Sequence, residues 1–199
     1  MAAKVAHSQF ACQQPPTTLR IFAISKCVFP APVRISAYRT PNDDDAIIDR
    51  MERILFYDEA QPYGWCSNFA SVALIIDGQL WPTTEHYYQA MKYAGTPYAE
   101  VVRLAHSPMV AKNLTRDPQH PPRADWDAVK DSVMLIAVRA KFRQYVHLAD
   151  LLLATGDAEL VEHTANDAYW GDGADGTGRN QLGRTLMQVR AELRRNQDS

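Results

Sequence analysis

Cysteine is scarce in this chain of 199 residues, and Cys12, Cys27 and Cys66 have neither disulfide nor metal-ligand spacing. Free thiols in a reducing compartment, here the cytoplasm, are the expectation. No apolar run approaches the roughly 20 residues needed to span a bilayer, so no membrane contact of that kind is expected. The formal net charge is only −2, too small to draw nucleic acid or a membrane surface to the whole molecule. His86, His106, His120, His147 and His163 show no HExxH or other metal spacing, and no metal site is expected. A Walker A loop, a dinucleotide-binding glycine fingerprint in a βαβ unit, a serine nucleophile elbow and a Cys–His pairing are all missing. No cofactor is expected.

Acidic residues are absent from the first 42 positions, which carry Lys4, Arg20, Lys26, Arg34 and Arg39. That segment also holds Pro15, Pro16, Pro30, Pro32 and Pro41 and no sustained hydrophobic period. Residues 1–50 are therefore set apart as a disordered extension, with Asp43-Asp44-Asp45 as a solvated linker. They are either an organelle transit peptide or sequence upstream of a true start at Met51. Residues 51–199 form the expected folded domain, long enough to bury a real core.

Within it, the stretch Trp81–Tyr93 (WPTTEHYYQAMKY) organises the rest. Thr83 or Thr84 is the N-cap and Gly95 follows the C-terminus, which predicts one helix. Glu85 falls in the first turn, four residues before Gln89 and with Lys92 close by. A first-turn carboxylate either complements the helix dipole or serves as a general base or acid at a pocket rim. Spacing leaves both open.

Around this helix the pattern is mixed. Arg53–Tyr57 reads as a strand, and Asp77-Gly78 between VALIID and QLW reads as a hairpin turn. Helices are expected over Tyr98–Ala105, from Pro108 with Ser107 as cap, over Trp126–Tyr145, over Leu148–Ala154 and over Gln181–Arg195. Val129, Val133, Ile136 and Ala140 give the long helix a predicted buried stripe, and Leu182, Leu186, Val189 and Leu193 do the same for the last. The segment ELVEHTA reads as a strand. The sum is an α+β fold, predominantly helical, a single domain with a small antiparallel sheet.

Glycine is also uncommon, nine in all, yet Gly171, Gly173, Gly176 and Gly178 crowd into eight positions before a helix. Such a loop either cradles a phosphate or sugar on its backbone amides, or is an irregular turn. Trp126 and Trp170 either pack or stack on a heterocyclic base. Asn166-Asp167 either makes a turn or supplies a second carboxylate opposite Glu85, a pairing suited to glycosidic hydrolysis. Of the cations Lys92, Lys112, Arg123, Lys130 and Arg139, most form a solvated face, and one or two are candidates to clamp a phosphate.

Taken in order, SNF (Ser67–Phe69), WPTTEHYYQAMKY, SPMVAK, DWDAVKDSVM, AKF, LLLATG and LVEHTANDAYWGDGADGTGRNQLGRTLM resemble the NADAR family, in its YbiA-like branch. The resemblance covers about residues 53–195. It implies an N-glycosidase that hydrolyses phosphoribosylamino-pyrimidine and -uracil intermediates of riboflavin biosynthesis, releasing ribose 5-phosphate. It implies Glu85, Trp126 and Asp167 as catalytic residues, with Glu162 in reserve for the last. Asn68, Tyr88, Gln89, Lys92, Trp170, Gly171, Gly173 and Asn180 are the candidate substrate-binding residues. The partner is then a small phosphoribosylated molecule. Two other readings compete: removal of ADP-ribose from guanine in nucleic acid, and a non-catalytic ADP-ribose or nucleotide-binding module.

Overall fold

Asp77 and Gly78 both adopt positive φ, 52° and 76°, the conformation that a tight two-residue hairpin requires. They join β2 (Leu74–Ile76) to β3 (Gln79–Trp81), with Leu74 opposite Trp81. The structure is a computed structural model and describes residues 52–197; the expected extension, residues 1–50, lies outside them. The two other expected strands, over RILFY and within ELVEHTA, form a parallel pair that the sequence did not predict, joining chain segments more than 100 residues apart. Strand β1 (Arg53–Phe56) runs parallel to β4 (Glu159–Glu162), placing Phe56 beside Glu162.

Six helices complete the described fold: α1 (Thr84–Ala90), α2 (Pro97–Arg103), α3 (Pro108–Leu114), α4 (Trp126–Gln144), α5 (Val146–Ala154) and α6 (Gln181–Gln197). Thr83 caps α1 by accepting the His86 N–H, and Ser107 caps α3 by accepting that of Val110. The organising helix is shorter than its sequence pattern. After Ala90 it tightens into a 3₁₀ turn over Met91–Tyr93, and Gly95 takes φ 81° just beyond.

Every residue of α1 is buried, polar ones included. It packs on α2, α3 and α4, and α4 in turn packs on α5, α6 and β2. The predicted stripe on α4 needs correction. Ile136 is 43% exposed, and the buried face runs through Val133, Met134, Ala137, Val138, Lys141 and Phe142. A lysine inside that face breaks the apolar pattern, which is why the period misled. The stripe on α6 holds: Leu182, Leu186 and Val189 are buried, and Leu193 packs at the edge of the core.

Helix α6 crosses β4 at Gly183. A Cβ there would lie 2.0 Å from the Leu160 carbonyl oxygen and 2.5 Å from Asn180 Oδ1. Gly183→Ala gains helix propensity of about 1 kcal/mol but forces backbone apart, so we expect a net loss of about 1–3 kcal/mol. Denaturant midpoints with an unchanged m-value would show it.

Candidate active site

The first turn of a helix leaves N–H groups without intrahelical partners, and in the buried first turn of α1 they need acceptors from the protein. The Asn68 carbonyl takes the Glu85 N–H at 3.1 Å, which docks the Ser67–Phe69 loop onto the helix. Glu85 is 5% exposed. Gln89, one turn on, donates to Glu85 Oε1 at 2.7 Å. The Gln89 side-chain oxygen Oε1 accepts from the Thr115 hydroxyl at 2.9 Å, and that hydroxyl accepts from Lys92 Nζ at 3.2 Å. Burial raises the Glu85 carboxyl above its ordinary range; the Gln89 hydrogen bond and the charges of Lys112 and Lys92 oppose it, and Asp167 adds to it.

Glu85 opens onto a cavity of about 430 Å³, a size usual for small-molecule sites. Its wall also carries Asn68, Tyr88, Gln89, Lys92, Asp167 and Trp170. Thus seven of the residues nominated from sequence share one hollow, drawn from the loop before β2, from α1 with its 3₁₀ turn, and from the segment after β4. Trp126, Gly171, Gly173 and Asn180 are not on that wall. Trp126 stands behind Tyr88, ring centroids 5.1 Å apart, and Trp170 meets Tyr88 edge-on at 5.3 Å. A Cβ on Gly171 would sit 2.8 Å from the Glu162 carbonyl oxygen, so the glycine serves close backbone packing. Asn180 has its side chain committed to β4: Oδ1 accepts from the Glu162 N–H at 3.1 Å, and Nδ2 donates to the Leu160 carbonyl at 2.8 Å.

The glycine loop is built around Asp172. Its carboxylate accepts from the Thr164 and Ala174 N–H groups and lies 2.8 Å from His163 Nδ1. Burial pushes the Asp172 carboxyl up, but these contacts outweigh it and hold the group below its usual range. Asp167 both makes a turn and faces the cavity. Its Oδ1 accepts from the N–H groups of Tyr169 and Trp170, each at 2.8 Å.

Glu162, the reserve candidate for the second carboxylate, is also at the site. It ends β4 and points into the same cavity, and its Oε2 is buried with no hydrogen-bond partner among the described residues. Burial, reinforced by the nearby charges of Asp167 and Glu85, raises its carboxyl to about 7. Lys112 on α3 and Lys92 complete the wall; the other three candidate cations are paired, Arg123 with Asp125, Lys130 with Asp127 and Arg139 with Glu192. Burial lowers the Lys92 ammonium, Glu85 opposes that, and Lys112 and Arg116 add to it. Among the described residues no three His, Cys, Asp or Glu side chains gather as metal ligands, and no helix is long and apolar enough to cross a membrane.

The NADAR domain family model matches residues 55–194, a span that includes every residue of this wall. The chain belongs to the NADAR family. Its NADAR domain is 51% identical over 140 residues to N-glycosidase YbiA of Escherichia coli (strain K12), covering 70% of this chain and 88% of that protein. It is 46% identical over 140 residues to riboflavin biosynthesis protein VVA0006 of Vibrio vulnificus (strain YJ016), covering 70% of this chain and 38% of that one. The NMR structure of the E. coli protein YbiA superposes with a TM-score of 0.69 at 49% identity, covering 73% of this chain and 87% of that chain.

Because the native state holds the Glu162 proton more tightly than an unfolded chain does, the stability this group contributes is full below pH 4.5 and is lost as pH rises through about 7. Glu162→Gln removes that penalty. We expect the variant to match the parent near pH 4 and to exceed it by about 1–3 kcal/mol at pH 8. Paired urea titrations at the two pH values check the crossing.

Proposed function

We propose that this chain is an N-glycosidase that hydrolyses the N-glycosidic bond of phosphoribosylamino-pyrimidine and phosphoribosylamino-uracil intermediates of riboflavin biosynthesis. The names of its relatives, N-glycosidase and riboflavin biosynthesis protein, support the substrate class. The observation that carries the chemistry is the convergence of Glu85, Glu162 and Asp167 with Lys92 and Lys112 in one cavity.

The reaction needs water to add at the anomeric carbon while the carbon–nitrogen bond breaks and its electron pair leaves with nitrogen. A carboxylate accepts a proton from the water, and a carboxylic acid returns one to the departing amine. Glu85, its Oε1 fixed by Gln89, is the base that orients and deprotonates the water. Glu162, half protonated near pH 7, is the acid. Asp167 stabilises positive charge on the sugar ring. Tyr88 and Trp170 offer aromatic surface to the heterocycle, and Trp126 acts from behind by bracing Tyr88. Lys112 and Lys92 take the 5′-phosphate.

Asp58 and Glu59 also line the cavity. Acidic side chains there oppose the approach of a polyanionic nucleic-acid backbone, which lends no support to the ADP-ribosyl-guanine reading.

Glu85→Gln keeps the Gln89 contact and the shape of the turn but removes the base. We expect native circular dichroism and at least about a 100-fold loss of ribose 5-phosphate release. Turnover at the parent's rate would remove Glu85 from the chemistry. Lys112→Ala acts on binding instead: KM for the 5′-phosphorylated glycoside rises about 10- to 100-fold, while the dephosphorylated glycoside is handled as before. Steady-state kinetics on the two substrates separate the effects.

A further inference from the structure

Lys141 is 2% exposed, yet its ammonium meets no carboxylate among the described residues. It donates to the Ser67 carbonyl at 2.9 Å, an oxygen that the Ala70 N–H also approaches at 3.3 Å. The neighbouring Cys66 thiol is pushed up to about 12 by burial, so it stays neutral and supplies no counter-charge. Burial brings the Lys141 ammonium down to about 8, so at neutral pH the fold holds a largely charged group without an anion. An apolar side chain of the same length would avoid that cost. What it would not do is hold the Ser67 carbonyl in place.

That carbonyl begins a short relay. The next residue, Asn68, sets its own carbonyl against the Glu85 N–H at 3.1 Å and its Nδ2 3.3 Å from Met134 Sδ. Ser67, Asn68 and Phe69 all reach the cavity wall. The Glu85 N–H lies in the first turn of α1, so no carbonyl of its own helix can replace Asn68.

We propose that Lys141 is a positioning residue for N-glycoside hydrolysis: by holding the Ser67 carbonyl it fixes the Ser67–Phe69 loop, and through Asn68 it sets the place of Glu85. Lys141 is not on the cavity wall and acts only through this relay. The inference rests on the hydrolytic reading of the cavity, so its test includes a readout that does not need turnover.

The experiment compares the full-length parent with Lys141→Met and Lys141→Arg. Amide hydrogen exchange is followed by NMR, and kinetics are followed with the phosphoribosylamino-pyrimidine substrate. In Lys141→Met the Glu85 amide should exchange at least about 10-fold faster, while the Ala137 and Val138 amides of α4 keep their protection. Its kcat should fall about 10- to 100-fold with KM within about 3-fold, the signature of a misplaced catalytic group. Lys141→Arg, which keeps a cationic donor, should recover part of both. Parent-like Glu85 exchange and kcat in Lys141→Met overturn the proposal, as does faster exchange spread equally through α4. If Lys141→Met does not fold, Lys141→Gln is measured against the same thresholds. A parent that releases no ribose 5-phosphate sinks the hydrolytic reading alone, and the exchange rates still decide whether Lys141 fixes Glu85.

Discussion

A helix buried on every side must find protein partners for its first N–H groups, because water cannot reach them. That constraint shapes the centre of this molecule. Thr83 supplies one acceptor through its hydroxyl, to His86 N–H, and another through its carbonyl, to Tyr87 N–H. Asn68 supplies the acceptor for Glu85. His86 then ties the turn to the segment after α2. Its Nε2 donates to the Ala105 carbonyl, which leaves Nδ1 to accept from the Thr83 hydroxyl at 2.8 Å. Burial keeps this imidazole neutral by lowering its proton affinity. The N-terminus of α1 is thus closed by side chains and loops, and Glu85 is carried into the interior with it.

Such a site makes some parts of the structure readable from sequence and hides others. Local rules worked where one residue type answers one backbone need. Asp77-Gly78 marked the hairpin, Ser107-Pro108 opened α3, and Gly95 ended the organising helix. Glu85 was legible as a first-turn acid next to Gln89, but not as a buried one, because depth depends on what packs around α1. The parallel pairing of β1 with β4 was not legible at all, since no local signal specifies a partner a hundred residues away. That pairing brings Glu162 to the cavity, whereas Asp167 has a turn context visible in the sequence. Ile136 was misplaced because Lys141 occupies a core position that hydrophobic period reads as surface.

The glycine loop illustrates how a conspicuous motif divides its duties. Gly178 approaches Asp172 so closely that a Cβ would meet its backbone carbon at 2.5 Å, and Gly171 is pressed against Thr164 and Glu162. Those contacts let Asp172 sit buried among N–H donors at the centre of the loop. Asn180, at φ 49°, then passes the chain into α6 while gripping β4 on both sides of Val161. The loop packs against the end of β4 and hydrogen-bonds to it. Its contribution to the cavity comes through Glu162, Thr164, Asp167 and Trp170, which it aims rather than replaces.

Three carboxyls facing one hollow would repel one another if all were ionised, and the arrangement resolves this unevenly. Gln89 gives Glu85 a donor, and two backbone N–H groups give Asp167 donors, while Glu162 Oε2 has none among the described residues. Glu162 is therefore the carboxyl that gives up least hydrogen bonding by holding a proton. The two lysines sit close enough to Glu85 to pull its carboxyl towards ionisation, and both face the same space. An anion bound between them would cancel part of that pull and raise the proton affinity of the acids further. Phosphate at one end of the substrate would thus influence protonation at the other, so binding and acid–base readiness are coupled through the cavity's own electrostatics.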